Sequence, residues 1–107
     1  MVEVYTSQFR YSGPDRFDIT AKMKTPFSPT WSMVKDYKEG RTNQKEYSDL
    51  YADLMNKSYI TNHNAWRDVL NMNNVTFVCY CNPNSFCHRF LLAQYLEILG
   101  AKYCGEI

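Results

Sequence analysis

No stretch of this sequence stays apolar for anything near the ~20 residues that a membrane-spanning helix needs. The first residues, MVEVYTSQFRYSG, lack the basic start and apolar run of a secretory signal. Low-complexity tracts are missing too, which sets disorder aside. So is any strong charge imbalance: 12 Lys and Arg stand against 11 Asp and Glu, a formal net charge of +1. A dedicated nucleic-acid binder carries a strong positive field, so no such surface is expected. These absences point to the cytoplasm, a reducing compartment where cysteines more often bind metal or react than form disulfides.

What is present is a globular composition, 45% hydrophobic and 21% charged, rich in aromatics at 16% with nine Tyr. A chain of 107 residues has material for one hydrophobic core, so residues 1–107 read as a single domain. VEVYTS (2–7) alternates as a strand does, and Gly13-Pro14-Asp15 marks a turn. FDITAKM (17–23) reads as a second, short strand. Ser28 and Pro29 open a helix that Gly40 stops, with Trp31, Val34 and Tyr37 on one face.

Asn43 and Glu46 form a capping-box pattern at the head of a helix over roughly 44–58. Tyr47, Leu50, Tyr51, Leu54 and Met55 make its apolar stripe, and Lys45–Asp49 and Asp53–Lys57 its solvated side. A shorter helix from Thr61 or Asn62 turns Trp66, Val69 and Leu70 inward. NVTFVCYC (74–81) is β-rich, SFCHRFLLAQYLEILG (85–100) is a mostly apolar helix, and AKYCGEI can add an edge strand. This order predicts an α/β fold: a small single domain with a short, mostly parallel sheet covered by helices, Rossmann-like and three-layered, its first and third strands parallel.

Three of the four cysteines and one of the two histidines fall between Cys79 and His88. Strand alternation puts Val75, Phe77, Cys79 and Cys81 on one face and Thr76, Val78 and Tyr80 on the other. The strand ends in NPNS, a turn able to cap the helix that carries Cys87, His88 and Arg89 in its first turn. Strand carboxyl ends and helix N-termini are where α/β sheets bind ligands and anions.

Three functional readings compete. Cys79, Cys81, Cys87 and His88 suit zinc by type, but adjacent Cys87 and His88 at a helix start diverge by about 100°. On that spacing no metal or other cofactor is expected, with zinc kept as the alternative. In the second reading Cys87 is a thiolate nucleophile, favoured by the helix N-terminus, His88 and Arg89. In the third the same groups hold an anionic ligand without covalent chemistry. Packing alone explains Cys79 and accommodates Cys81, since buried cysteine behaves as a small hydrophobe. It does not explain Cys87, His88 and Arg89 side by side.

The stretch VCYCNPNSFCHRFLLAQYL resembles the signature of the domain of unknown function 488 family, in which a strand ending in Cys-Tyr-Cys or Cys-Tyr-Glu leads into Cys-His-Arg at a helix start. TSQFRYSGPDRFDIT, FSPTWSMVKDYKEG and EYSDLYADLM are similar to its compact bacterial and phage members. The resemblance implies a site at Cys79, Cys87, His88 and Arg89 and, by its weaker N-terminal part, at Thr6, Ser7, Arg10 and Arg16. Acidic residues in some relatives at the position of Cys81 argue against zinc that requires Cys81.

The expected ligand is therefore a small anionic or nucleotide-like molecule, with no membrane partner; a homo-oligomer is left open. Arg10, Arg16, Arg89 and His88 are expected to converge on its phosphate, and Phe9, Tyr11 and Tyr80 to stack on its base. Thr6, Ser7 and Cys81 complete the expected binding set. In an enzyme, Cys87 is the nucleophile or acid, His88 its base partner, and Arg89 with Arg10 the anion stabilisers. Without catalysis, the same pocket suits a phage-type protein that sequesters a nucleotide immune signal; a zinc-stabilised interaction module is the other alternative.

Overall fold

The computed structural model describes residues 1–80 and 87–107. Four strands, β1 (Glu3–Gln8), β2 (Arg16–Asp18), β3 (Asn74–Cys79) and β4 (Lys102–Glu106), form one sheet in the order β2-β3-β1-β4, every pair parallel. Helices α1 (Trp31–Lys38), α2 (Gln44–Thr61) and α3 (His63–Leu70) lie between β2 and β3, and α4 (His88–Ile98) lies between β3 and β4. The α/β expectation holds, including the parallel pairing of the first and third strands.

Crossover handedness explains the layering. The steps β2 to β3 and β3 to β4 move across the sheet in one direction, so right-handed crossovers place all four helices over one face. Accordingly Val4, Val75 and Phe77 cluster with Tyr51, Met55, Trp66, Val69 and Leu92. The step β1 to β2 moves back, and its short connection crosses the opposite face. There Thr76 donates its hydroxyl to Asp15 Oδ2 at 2.6 Å and its amide to the Asp15 carbonyl at 3.0 Å. Strand β3 is thus covered on both sides, and Val75 through Cys79 are all buried.

Local departures from expectation have local causes. The second strand stops at Asp18 rather than Met23, because Asp18 Oδ1 accepts the Thr20 amide at 2.9 Å and the chain turns into a 3-10 turn at Ala21–Met23. Helix α1 is capped by Thr30, not Ser28, with Thr30 Oγ1 accepting the Met33 amide. Its inward side is Met33 and Tyr37, the latter 5.5 Å from the Tyr47 ring, while Trp31 is 58% exposed. The Asn43–Glu46 capping box is present in both directions. From there α2 runs to Thr61 and buries Tyr47, Tyr51, Met55 and Ser58, leaving Leu50 at the surface.

Trp66 anchors the core under these helices, fully buried with its ring 4.8 Å from that of Phe27. Its indole N–H donates to Ser58 Oγ, which donates in turn to the Pro26 carbonyl. That satisfies the buried polar atoms and fixes the loop that delivers β2 to α1. Among the described residues no helix is long and apolar enough to cross a membrane.

Candidate functional site

The site lies where the sheet's carboxyl edge meets the head of α4. Cys79 is the last residue of β3, and Cys87 is the N-cap of α4 in an extended conformation, φ −152° and ψ 148°. That conformation is decisive. The argument that Cys87 and His88 must diverge holds only inside a helix; with Cys87 extended and His88 at the first helical position, both side chains turn to one spot. Cys87 Sγ lies 3.7 Å from His88 Nδ1. The two sulfurs and a ring nitrogen of His88 all lie within 4.8 Å of one another, and the three residues are buried.

Strand β2 supplies the next partner. His88 Nε2 lies 2.8 Å from the Ile19 carbonyl oxygen, one residue beyond the strand. A carbonyl can only accept, so Nε2 carries the hydrogen and Nδ1 presents its lone pair to Cys87. Burial pulls the His88 pKa below its ordinary value; the neighbouring Cys79 and the Ile19 carbonyl oppose that shift without cancelling it. His88 is therefore a neutral imidazole of fixed tautomer. The Tyr51 ring of α2 packs 5.8 Å from it, and burial raises the Tyr51 hydroxyl well above its ordinary range.

Arg89 is fully buried, its guanidinium held by Glu106 of β4 through Nε–Oε1 at 3.1 Å and NH2–Oε2 at 2.8 Å. Its NH1 donates to Cys79 Sγ at 3.0 Å. Burial works against the charge on Arg89, but the bonds to Glu106 and Cys79 outweigh it and hold the guanidinium more firmly protonated than usual. Cys79, read from sequence as packing, is thus the floor of a charged network. On the neighbouring strand Thr6 Oγ1 shares a hydrogen with Tyr103 Oη at 2.6 Å, and Ser7 Oγ reaches the Ile107 carbonyl at 3.4 Å.

Of the two arginines expected near the start of the chain, Arg16 is engaged by backbone carbonyls and an aromatic ring. Arg16 is the first residue of β2, and its Nε and NH2 donate back to the Tyr11 and Phe9 carbonyls of the connection that precedes it. Its guanidinium also lies 4.6 Å over the Phe9 ring. Arg10 is exposed. Of the expected aromatic wall, Tyr11 is tied to Asp15, while Phe9 and Tyr80 stack with ring centres 4.0 Å apart. Tyr80, just past β3, is 67% exposed. Cys81 and the NPNS turn lie outside the described residues.

Glu106, Tyr51 and the Ile19 carbonyl escaped the sequence reading. Nothing in the pattern of the tail marks Glu106, Tyr51 looks like one more residue of a helical stripe, and a backbone carbonyl carries no residue signal.

No curated protein and no solved structure matches the chain. A family model does, DUF488-N3a, described as the active DUF488-N3 subclade, and it covers residues 3–100. That span holds every strand except β4 and every residue of the cluster except Glu106. With nearly its whole length matched and Cys79, Cys87, His88 and Arg89 gathered at one edge of an α/β sheet, the chain belongs to the DUF488 family.

Proposed function

We propose that the carboxyl edge of the sheet binds a nucleotide or nucleotide-derived phosphate ligand and that Cys87 reacts with it. The observation that carries this reading is the contact of Cys87 Sγ with His88 Nδ1, while His88 Nε2 is fixed by the Ile19 carbonyl. A thiol beside an oriented imidazole is the arrangement that activates a nucleophile. In the reaction Nδ1 takes the thiol proton and sulfur bonds to the electrophilic centre of the ligand. The displaced group leaves with that proton, and water then cleaves the bond to sulfur. The Phe9–Tyr80 stack offers an exposed face for a base, and the head of α4 offers partial positive charge to a phosphate.

Cys87 is only 2% exposed, so engaging the thiol requires the edge to open as ligand binds, as in induced-fit enzymes. The same closure favours a second reading, in which the edge holds the ligand without reaction, as a sequestering protein does. Both belong to a reducing compartment, where thiols are kept reduced.

A thermal-shift panel of NAD, ADP-ribose, mononucleotides and cyclic dinucleotides tests the binding, and turnover of whichever stabilises the chain tests the chemistry. An enzyme loses turnover in Cys87→Ser while keeping affinity. A binder keeps its full function in Cys87→Ser and weakens about 10-fold in Tyr80→Ala, in line with base–aromatic stacking. Absence of stabilisation by every member of the panel overturns both readings.

A further inference from the structure

We infer that Cys79, Cys87 and His88 form a binding site for a soft divalent cation, zinc above all. The inference is independent of the nucleotide reading, because it rests on the donor atoms rather than on any ligand of the carboxyl edge.

Three observations carry it. The first is the donor set. Two sulfurs and an imidazole nitrogen, all buried, stand within 4.8 Å of one another on elements that packing holds in place: the end of β3, the N-cap of α4 and its first residue. In a tetrahedral zinc site with sulfur at ~2.3 Å and nitrogen at ~2.0 Å, adjacent donors are roughly 3.5 Å apart. The Cys87 Sγ to His88 Nδ1 separation of 3.7 Å is already that edge, so a cation needs only small side-chain adjustments.

The second is the outer shell. Metal-bound histidines characteristically donate their other ring N–H to a carboxylate or backbone carbonyl, which fixes the tautomer. His88 does so with the Ile19 carbonyl, and the lone pair on Nδ1 is turned toward the sulfurs. Cys79 Sγ likewise has an outer partner in Arg89 NH1, a hydrogen bond that stabilises a thiolate.

The third is charge. Arg89 and Glu106 already neutralise each other, and His88 Nδ1 offers a lone pair rather than a charge. Ionising both Cys79 and Cys87 puts two negative charges into a buried site, a costly arrangement unless they are compensated. A divalent cation compensates both. A monovalent soft ion leaves one uncompensated negative charge, and a hard cation such as magnesium prefers oxygen donors over sulfur. The three donors leave one tetrahedral position open for a donor outside this set. Binding takes up both sulfurs and the Nδ1 lone pair, so the loaded site has neither nucleophile nor base.

The test uses the full chain, reduced and stripped with chelator, titrated with zinc by calorimetry. One equivalent is expected, with proton release from Cys79 and Cys87. Cys79→Ser and Cys87→Ser each weaken affinity at least 100-fold, and Cys104→Ser leaves it unchanged. X-ray absorption of zinc-loaded wild-type protein needs no variant and reads at least two sulfur scatterers at ~2.3 Å. Failure to take up zinc overturns the inference, as does a coordination shell of nitrogen and oxygen only, or binding that survives in both Cys79→Ser and Cys87→Ser. The nucleotide panel is run on the metal-free chain, so its outcome is scored apart from zinc uptake, whereas any turnover that depends on Cys87 is expected to be lost on zinc loading.

Discussion

Glu106 grips Arg89 side-on, carboxylate to guanidinium at two points, and so joins the last strand of the sheet to the head of α4. Arg89 has no exposed surface, whereas the Glu106 side chain keeps 23% of its own. Removing the acid strands a buried charge; removing the base leaves an acid that water can reach. Glu106→Ala is therefore expected to cost about 2–4 kcal/mol in urea unfolding, below the ceiling for a fully buried pair because water reaches the vacated side. Arg89→Lys does not restore stability, since an ammonium cannot hold both Glu106 oxygens and the Cys79 sulfur at once.

His88 gives the fold a pH dependence of definite sign. Burial lowers its pKa below 6.5, so between 6.5 and that lower value the unfolded chain carries a proton that the folded chain refuses. Stability from this group is complete above pH 6.5 and falls as the pH drops, by at most about 1.4 kcal/mol per pH unit. Denaturation midpoints across pH 5 to 8 should show the decline in wild-type protein, and His88→Gln should flatten it.

How far the sequence foretold this edge depends on which interaction builds each part. The Asn43 capping box and the inward Trp66 followed from local hydrogen bonding and periodicity, which act over a few residues, and parallel β1 and β3 from the helical crossover between them. The meeting of Cys87 with His88 did not, because it depends on one pair of dihedrals at an N-cap. Arg89 was picked out by its neighbours, but its partner Glu106 is 17 residues away and only the strand order brings them together. Arg16 is instead engaged by the Tyr11 and Phe9 carbonyls, partners that residue type and spacing did not mark.

Asp15 fixes the connection between β1 and β2. Its carboxylate accepts from Tyr11 Oη and Thr76 Oγ1 at 2.6 Å each and from Asn74 Nδ2 at 2.8 Å. Partial burial raises its pKa, but these hydrogen bonds together outweigh burial and hold it below the ordinary 3.8. Asp15→Ala should cost about 2 kcal/mol near neutral pH. The difference from wild type should shrink as the pH falls below 3.8, where the carboxylate gains its proton; midpoints in urea at pH 7 and pH 3 check both statements.

The thiols should differ in reactivity by position. Cys104 is exposed, while Cys79 and Cys87 are buried. Brief alkylation of native protein followed by peptide mass mapping should label Cys104 well ahead of the other two. Labelling of Cys79 and Cys87 should track denaturant, since both wait for the fold to open. Early labelling of Cys87 in native buffer would show instead that the edge opens without ligand.

Strand β1 is made before the other described strands, and both of its partners lie far along the chain, Glu3 pairing with Asn74 and with Lys102. Every pair among the described strands is parallel, so no hairpin between them nucleates the sheet and every ladder closes a long loop; folding should be slow beside that of a helical bundle of equal length. Until β3 is made, the nascent chain offers helices and two unpaired strands, a species prone to aggregate. The carboxyl edge is complete only when Glu106 holds Arg89, so the site waits on the last of the four described strands to dock.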